Sequence, residues 1–207
     1  MDYHIINTCD VALWGVPQAE RIRKVLAKAG DFTQISDIQA VKPGQNILLL
    51  RADYLYEANL IQKLVAQPEA ILVSSCDQQS PSAIWCDGDK ISPAVKLLNH
   101  EQSENGLDST AVYTSQQLTG GYDPRLRKYD LAHVVHINND DKTVIENYLY
   151  DKSYKGITDL VTKWWWPLPA RGVVRMCAAA KITPNMVTGF GWLLTIFSGF
   201  AFYYGEL

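Results

Sequence analysis

Several motifs that mark common nucleotide-binding and redox proteins are absent from this sequence. It contains neither G-x-x-x-x-G-K-[ST] nor G-x-G-x-x-G, which argues against a P-loop and against a dinucleotide-binding Rossmann site. Only four cysteines occur, and no two have C-x-x-C spacing. We therefore expect reduced and mostly buried thiols. We find no N-terminal signal peptide, internal repeat or low-complexity tract.

Charge is also absent from one long segment. The 19 residues from Met186 to Tyr204 include no Asp, Glu, Lys or Arg. As a helix, this run would be about 28 Å long, close to the thickness of about 30 Å of a bilayer's hydrocarbon core. A buried core helix is the alternative, but such helices are seldom apolar on every side over five turns. The segment therefore predicts a single membrane span.

The remaining charges are distributed unevenly. Residues 1–151 hold 13 Lys or Arg and 20 Asp or Glu, a balance of -7, whereas residues 152–181 hold six basic residues against Asp159 alone, a balance of +5. A basic stretch just before a span predicts, by the positive-inside rule, that the N-terminal domain faces the cytoplasm. We expect a protein of the inner membrane whose partner is membrane lipid. We expect no nucleic acid as a partner, and an oligomer is possible.

The hydrophobic pattern of the N-terminal part predicts an α/β fold. We expect a strand at 3–7, a helix at 17–29, and then a βαβ crossover built from strands 47–50 and 71–73. Polar loops are expected at 77–90 and 101–109, a helix at 111–118, a strand at 131–137 and a helix at 144–164. The domains are predicted as 1–150 (cytoplasmic), 151–182 (basic and aromatic neck) and 183–207 (first transmembrane helix).

Asp53 is the first candidate site residue. It follows the predicted strand 47–50 in the sequence RADYLYE, at the edge where open α/β sheets bind ligands. There it could hold a divalent metal bound to nucleotide phosphates. Alternatively it caps the next helix, which the spacing favours.

Two further groups of residues in the N-terminal part are candidates for a site. His133 and His136 lie three apart in a predicted strand and face opposite sides, so they do not form a two-histidine metal site. Arg125 and Lys128, in YDPRLRKYD, suit either a phosphate contact or a solvated turn.

The segment before the predicted span is rich in aromatic and basic residues. Trp164–Trp166 and the pair Arg171 and Arg175 suit lipid headgroups and their phosphates, or the tryptophans pack on the domain. Thr183 and proline 184 suit a helix start. Asn185 and Thr188 share one face there, and they either bind an anion or merely begin the helix.

Five segments carry a resemblance to a known family. SYKGITDLVTKWWWPLPA and KITPNMVTGFGWLL resemble the junction in bacterial CDP-alcohol phosphatidyltransferase family proteins that carry an N-terminal nucleotidyltransferase-like domain. WGVPQAERIRKVLAKAG, LLLRADYLYEANLIQKL and YDPRLRKYD are similar to parts of that domain. The resemblance implies a nucleotidyltransferase-like sheet of GT-A or Rossmann type. It also implies phosphatidyl or phospho-alcohol transfer from a CDP-linked donor to a hydroxyl in phospholipid biosynthesis.

The family's catalytic signature, D-x-x-D-G-x-x-A-R-x8-G-x3-D-x3-D, does not occur in these 207 residues. The resemblance implies that its carboxylates hold two divalent metals, Mg²⁺ or Mn²⁺, beyond the first membrane helix. We therefore expect the chain to be the N-terminal part of a longer transferase, with no catalytic residue of its own and inactive alone. The Gly-rich loop of active nucleotidyltransferases is also missing, replaced by NTCDVALWGVPQAER. The alternatives are an active membrane-anchored nucleotidyltransferase that uses CTP, and a non-catalytic single-pass binding protein.

Overall fold

The computed structural model describes residues 1–38, 41–74, 80–100, 107, 110–120, 122–123, 128–129, 134–153 and 165–205. These form two compact units, Met1–Ile145 and Glu146–Leu207. The predicted strand at 131–137 is described only from residue 134, and the predicted helix at 144–164 only to residue 153.

The first unit is built on a six-stranded mixed sheet. Its strand order is β4-β1-β5-β8-β7-β9, and the strands are β1 (Asp2–Ile6), β4 (Thr33–Gln34), β5 (Asn46–Arg51), β7 (Ala70–Val73), β8 (Pro81–Asp87) and β9 (Ala111–Thr114). Three short pairs accompany the sheet: β2 (Ala12–Leu13) with β3 (Val16–Pro17), β6 (Tyr54–Leu55) with β12 (Val135–His136), and β10 (Tyr122–Asp123) with β11 (Lys128–Tyr129).

Helices cover both faces of this sheet. They are α1 (Gln18–Ala29), α2 (Ala58–Val65), α3 (Ile91–Leu98) and α4 (Ser115–Thr119). Leu48 and Leu50 of β5 pack in one cluster with residues of α1 and α2, whereas Ile47 and Leu49 pack in a second cluster with α3. Alternate residues of a strand point to opposite faces. β5 is therefore apolar throughout because both of its faces are covered.

The structure confirms that the two strands of the predicted crossover run parallel, but they are not neighbours in the sheet. β5 and β7 are each antiparallel to β8, so they run parallel to each other. The polar loop predicted at 77–90 is wrong for 81–87, because these residues form β8 between the other two strands. Its polar side chains have partners: Ser82 Oγ donates to the Leu72 carbonyl at 3.0 Å, and Trp85 Nε1 donates to the Gln67 carbonyl at 3.1 Å.

The predicted helix at 111–118 is half correct. Residues 111–114 form β9, which pairs in parallel with β7. The helix α4 begins only at Ser115, where a capping box closes it: the Thr114 hydroxyl accepts from the Gln117 amide, and the Gln117 side chain accepts from the Thr114 amide. Because this box requires an extended backbone at Thr114, strand and helix meet at that residue.

The second unit contains the C-terminal part of α5 (Lys142–Ser153), together with α6 (Pro167–Ala179) and α7 (Pro184–Tyr204). α7 has 21 residues and no buried residue, and an 18-residue window within it has a mean hydropathy of 1.4, so it is long and apolar enough to cross a membrane. No residue of α6 is fully buried either.

Candidate functional site

Asp53 lies in the turn between β5 and β6, at the carboxyl end of β5. The short strand β6 pairs with β12, with Tyr54 opposite His136, and the Ile137 amide donates to the Asp53 carbonyl at 2.8 Å. This pairing brings His136 to Asp53 across 83 residues of sequence. The predicted helix cap is therefore wrong: α2 begins at Ala58, its N-cap is Glu57, and no side chain caps it.

The Asp53 carboxylate is held by a guanidinium instead. Arg51 Nε donates to Asp53 Oδ1 at 3.0 Å, and Arg51 Nη2 donates to Oδ2 at 2.5 Å. His136 Nε2 lies 3.2 Å from the same Oδ2. Paired Arg–carboxylate contacts of this kind are the strong, directional form of the ion pair. Arg51, Asp53 and His136 thus form one connected polar cluster at the end of β5.

The rest of the Arg51 side chain is engaged inside the domain. Its Nη1 donates to the Leu98 carbonyl at 3.3 Å and also to His100 Nε2, and its guanidinium lies 5.0 Å from the centre of the Tyr54 ring. Since an arginine only donates, the His100 nitrogen is the acceptor in this contact. The Arg51 side chain is 9% exposed, so its charge is compensated almost entirely by the protein.

The electrostatics of the pair follow from this geometry. Burial raises the pKa of the Asp53 carboxyl, but the hydrogen bonds and the positive charge of Arg51 outweigh burial, and the pKa of Asp53 lies below its usual value. Burial lowers the pKa of the Arg51 guanidinium, yet its contacts with Asp53 raise that pKa overall. Both groups are therefore charged at neutral pH, and each is the main counter-charge of the other.

This pairing bears on the metal role considered for Asp53. A divalent cation binds oxygen ligands directly, and both Asp53 oxygens already accept hydrogen bonds from Arg51. A cation at this carboxylate would lie close to the positive charge of the buried Arg51 guanidinium and would be repelled by it. The arrangement disfavours a metal at Asp53, whose metal role stays a prediction.

The segment after β1 is a tight hairpin. β2 and β3 pair antiparallel around Trp14 and Gly15, which have φ of 51° and 71°. Two successive positive φ angles are typical of a type I′ turn. Leu13 is fully buried, and its carbonyl accepts from Arg21 Nη2 at 3.0 Å. A Gly-rich phosphate loop offers open backbone N–H groups, whereas this segment is folded on itself and anchored by a bulky side chain.

Of the predicted phosphate contacts, Arg125 lies outside the described residues, and Lys128 is described only as part of the strand β11. His133, also named above, lies outside the described residues. Among Asp53, Arg125, Lys128, His133 and His136, the described part of the chain thus brings Asp53 and His136 together.

The start of α7 forms as predicted. Thr183 is the N-cap, its hydroxyl accepts from the Met186 amide, and proline occupies position 184. The Met186 and Val187 amides also donate to the Thr183 carbonyl, at 3.0 and 3.2 Å. The Thr188 hydroxyl donates to the Pro184 carbonyl at 3.0 Å. An anion at this helix start would therefore meet mainly the exposed Asn185, whose role stays a prediction.

The sequence analysis missed Arg51 and His100 as members of the Asp53 cluster. Arg51 is the single charged residue of the strand NILLLR, and a charge in a strand covered on both faces needs a buried partner. That signal pointed to the neighbouring Asp53. His100 follows α3 and has a φ of 59°, and nothing in the local sequence indicates its contact with β5.

Similarity to known proteins was sought with protein-family models and among curated proteins, and neither comparison finds a match to this chain.

Proposed function

We propose that this chain is the N-terminal part of a membrane CDP-alcohol phosphatidyltransferase that acts in phospholipid biosynthesis. In this proposal α7 is the first transmembrane helix of the enzyme, and Met1–Ile145 is a cytoplasmic accessory domain of nucleotidyltransferase-like fold. The metals, Mg²⁺ or Mn²⁺, and the CDP-linked donor are bound by segments other than those described above.

The observation that carries the proposal is the helix α7 together with its start. Thr183 caps a helix of 21 residues that has no charged side chain and no buried residue. A fully exposed apolar helix of this length is stable where the surrounding medium is itself apolar. The capped T-P-N start is also the segment whose resemblance to the transferase family is the most specific.

The basic residues support a cytoplasmic position for the soluble domain. Residues 152–181 carry a charge balance of +5 and directly precede the helix. Lys and Arg accumulate on the cytoplasmic side of membrane helices. We therefore propose that Met1–Ile145 lies on the inner face of the cytoplasmic membrane.

Two features support an accessory rather than a catalytic role for the soluble domain. The segment after β1 is the β2–β3 hairpin, which holds the bulky Leu13 and Trp14. The carboxylate at the sheet edge, Asp53, is paired with Arg51. A nucleotidyltransferase needs open backbone donors for phosphates and a carboxylate that is available to a metal.

The transfer activity can be tested by release of CMP. Membranes from cells that express the gene encoding these residues would be incubated with CDP-diacylglycerol, Mg²⁺ and single acceptor alcohols. We expect CMP release with one acceptor and its loss when a chelator is added. The 207-residue chain alone, measured in parallel, is expected to release none. The proposal fails if the membranes release no acceptor-dependent CMP, or if the chain alone releases it.

An active nucleotidyltransferase is the second candidate, because Asp53 stands at the ligand edge of the sheet next to His136. Calorimetric titration of the chain with CTP and Mg²⁺ separates the two candidates. The accessory role predicts no saturable binding. Saturable binding that Asp53→Asn abolishes would instead establish a metal–nucleotide site at the end of β5.

A further inference from the structure

The six-stranded sheet of the first unit ends on one side at β9. Within the described part of the chain, β9 pairs with one strand, β7. Proteins usually protect such an edge with charged residues, proline, a bulge or a very short strand. The opposite edge, β4, has only two residues. β9 has four residues in continuous register with β7, without charge or proline, so it is the less protected edge.

The direction of the backbone groups of β9 follows from its neighbour. The Ser74 amide donates to the Ser80 carbonyl beside β8 at 3.0 Å. Because successive residues of a strand direct their N–H and C=O groups to opposite edges, Ile71 directs its groups towards β9. Val112 faces Ile71 in the register, and only one of two facing residues in a parallel pair directs its groups at the other strand. The N–H and C=O of Val112 therefore point away from the sheet.

The same outward direction applies to the residues two positions before and after Val112. The Thr110 amide donates to the Leu107 carbonyl at 2.8 Å. The Thr114 amide donates to Gln117 Oε1 at 2.8 Å, as part of the capping box. For the N–H and C=O of Val112, the described residues supply no hydrogen-bond partner. The open part of this edge is thus the backbone of a single residue, which offers one donor and one acceptor.

We propose that two copies of this protein pair through β9, antiparallel and around a two-fold axis at Val112. In a hydrogen-bonded antiparallel pair, the two opposite residues exchange both of their N–H···O bonds. Val112 of a second copy therefore satisfies both open groups at once, and the two sheets become continuous. A two-fold contact of this kind uses the same residues on both copies.

An unrelated extended peptide fits this edge less well. A strand that adds to a sheet edge forms a row of main-chain hydrogen bonds. At β9 such a row stops at Thr110 and Thr114, because their amides already have acceptors. A contact limited to one residue on each side suits a symmetric pair, which needs no longer row.

The distribution of charge also favours a second copy. A two-fold axis places identical residues close together, so a charge near the axis faces its own sign, which is unfavourable for opposite residues of a strand pair. Residues 1–151 carry a balance of -7, yet residues 109–120 contain no Asp, Glu, Lys or Arg. β9 and α4 thus form an uncharged segment at which two acidic domains can meet without facing like charges.

The membrane anchor would strengthen this contact. A pairing centred on one residue is small beside the roughly 1,200–2,000 Å² that stable complexes bury. Chains held in one membrane meet at a raised effective concentration, which favours a contact that is weak in solution. The inference rests on the proposed function in this respect alone, since it requires α7 to span the bilayer. It adds an interface that lies in the soluble domain.

Disulfide formation between two copies can test the pairing. The full chain would be purified with Cys9, Cys76 and Cys177 replaced by alanine, and Cys86 retained because it is fully buried. It would be reconstituted into vesicles of phosphatidylethanolamine and phosphatidylglycerol. Chains with one added cysteine would then be oxidised with copper phenanthroline, and the disulfide-linked dimer would be measured by non-reducing electrophoresis.

Three positions for the added cysteine separate the proposed register from random collision. Opposite residues of a hydrogen-bonded pair have Cα atoms about 5.5 Å apart, which suits a disulfide, so Val112→Cys should link. Ala111 would lie opposite Tyr113 of the second copy. The two copies of Ala111→Cys would therefore be diagonal neighbours about 7–8 Å apart, too far for a disulfide. Thr33→Cys, which is exposed on β4, reports collisions at the opposite edge.

We expect several-fold more linked dimer with Val112→Cys than with either control. Equal linking at all three positions, or stronger linking of Ala111→Cys, would overturn the inference. If Val112→Cys does not link although the chain stays with the vesicles, the inference is wrong and the membrane anchor stands. If the chain does not stay with the vesicles, α7 does not span and both proposals fail together.

A proline at the same position tests the hydrogen bonds themselves. Val112→Pro removes the outward N–H, and it leaves the pairing with β7 intact because that N–H does not point towards β7. Resonance energy transfer would be measured in the vesicles between copies labelled at Gln116→Cys, an exposed position of α4. Transfer should fall several-fold with Val112→Pro and persist with Val112→Thr, which keeps the N–H. Equal transfer in Val112→Pro and the parent chain would overturn the inference.

Discussion

The two units of this protein place the same apolar residue types in opposite surroundings. In Met1–Ile145, leucines such as Leu49 and Leu60 are completely buried between the sheet and its helices. In Glu146–Leu207, the leucines of α7 are more than half exposed. Burial of apolar surface away from water stabilises a folded domain, whereas a helix that exposes it needs an apolar medium. The comparison therefore separates a domain that supplies its own core from helices whose apolar surface must be covered by something else.

The charged residues show the same contrast. Arg51 in the first unit is almost fully enclosed and meets its counter-charge within the domain. Arg171 in the second unit pairs with Asp151, whose side chain is exposed. An enclosed pair costs much more to break than an exposed one, because the remaining charge cannot recover its hydration. Substitutions should thus have their largest effects on stability in the first unit and on membrane attachment in the second.

The largest expected effect comes from removing the exposed helices. The full chain should remain with membranes through an alkaline carbonate wash, whereas residues 1–153, which end with α5, should be recovered in the soluble fraction. A chain with both Leu193→Arg and Leu194→Arg should be retained by membranes less than the full chain and more than residues 1–153. Each arginine near the centre of a span raises the free energy of membrane insertion by about 2.5–3.5 kcal/mol. Recovery of the intact chain as a monomer in plain buffer would contradict the contrast between the units.

Leucine-to-alanine substitutions compare the two environments directly. Leu49→Ala in β5 removes a fully buried side chain and should lower the free energy of unfolding by about 2–5 kcal/mol. Urea denaturation of residues 1–153, followed by circular dichroism, measures this loss. Leu193→Ala in α7, tested in the full chain in detergent, should leave the unfolding of the first unit unchanged. Equal losses at both positions would show that α7 packs as part of the soluble core.

Breaking the ion pair between Arg51 and Asp53 should have the next largest effect on the free energy of unfolding. Asp53→Asn keeps the shape of the side chain but leaves the enclosed guanidinium without its counter-charge. The expected loss is about 2–3 kcal/mol, smaller than for a completely buried pair because Asp53 is partly exposed. Asp31→Asn, at an exposed carboxylate, is the matched control. A nearly neutral Asp53→Asn would show that the ion pair contributes little to stability.

The same pair predicts a dependence on pH. The pKa of Asp53 is lower in the folded protein than its usual value of 3.8. Its contribution to stability is therefore fully present above that usual value and is lost as the pH falls through the lower folded pKa. Asp53→Asn should flatten this part of the acid limb in the stability profile. An unchanged acid limb would contradict the assigned direction of the pKa shift.

The elements most accurately predicted from sequence were those with a strong local pattern. The helices α1 and α7 matched their predicted limits within two residues, because α1 has an apolar stripe and α7 a capped, charge-free run. The strand β8 was missed because its serine and proline resemble loop residues, while its partners Leu72 and Gln67 come from other elements. His136 was judged only against His133 on its own strand. Its contact with Asp53 depends on the pairing of β6 with β12, which no local pattern encodes.

The smallest expected effect concerns the turn between α6 and α7. Lys181 adopts a left-handed backbone conformation with a φ of 56°, and in such a position a side chain costs about 1–2 kcal/mol relative to glycine. The helix α4 ends instead on Gly120, with a φ of 61°, where this cost is absent. Glycine is also more flexible in the unfolded chain, which offsets part of the gain. Lys181→Gly should therefore stabilise the turn by about 0.5–1 kcal/mol.

The readout is hydrogen exchange of the Ile182 amide, which donates to the Cys177 carbonyl. The expected slowing is about two- to five-fold in Lys181→Gly, and Lys181→Val should accelerate exchange, because a β-branched residue fits this conformation least well. If all three chains exchange at one rate, the hydrogen bond from the Ile182 amide to the Cys177 carbonyl does not hold the two helices together.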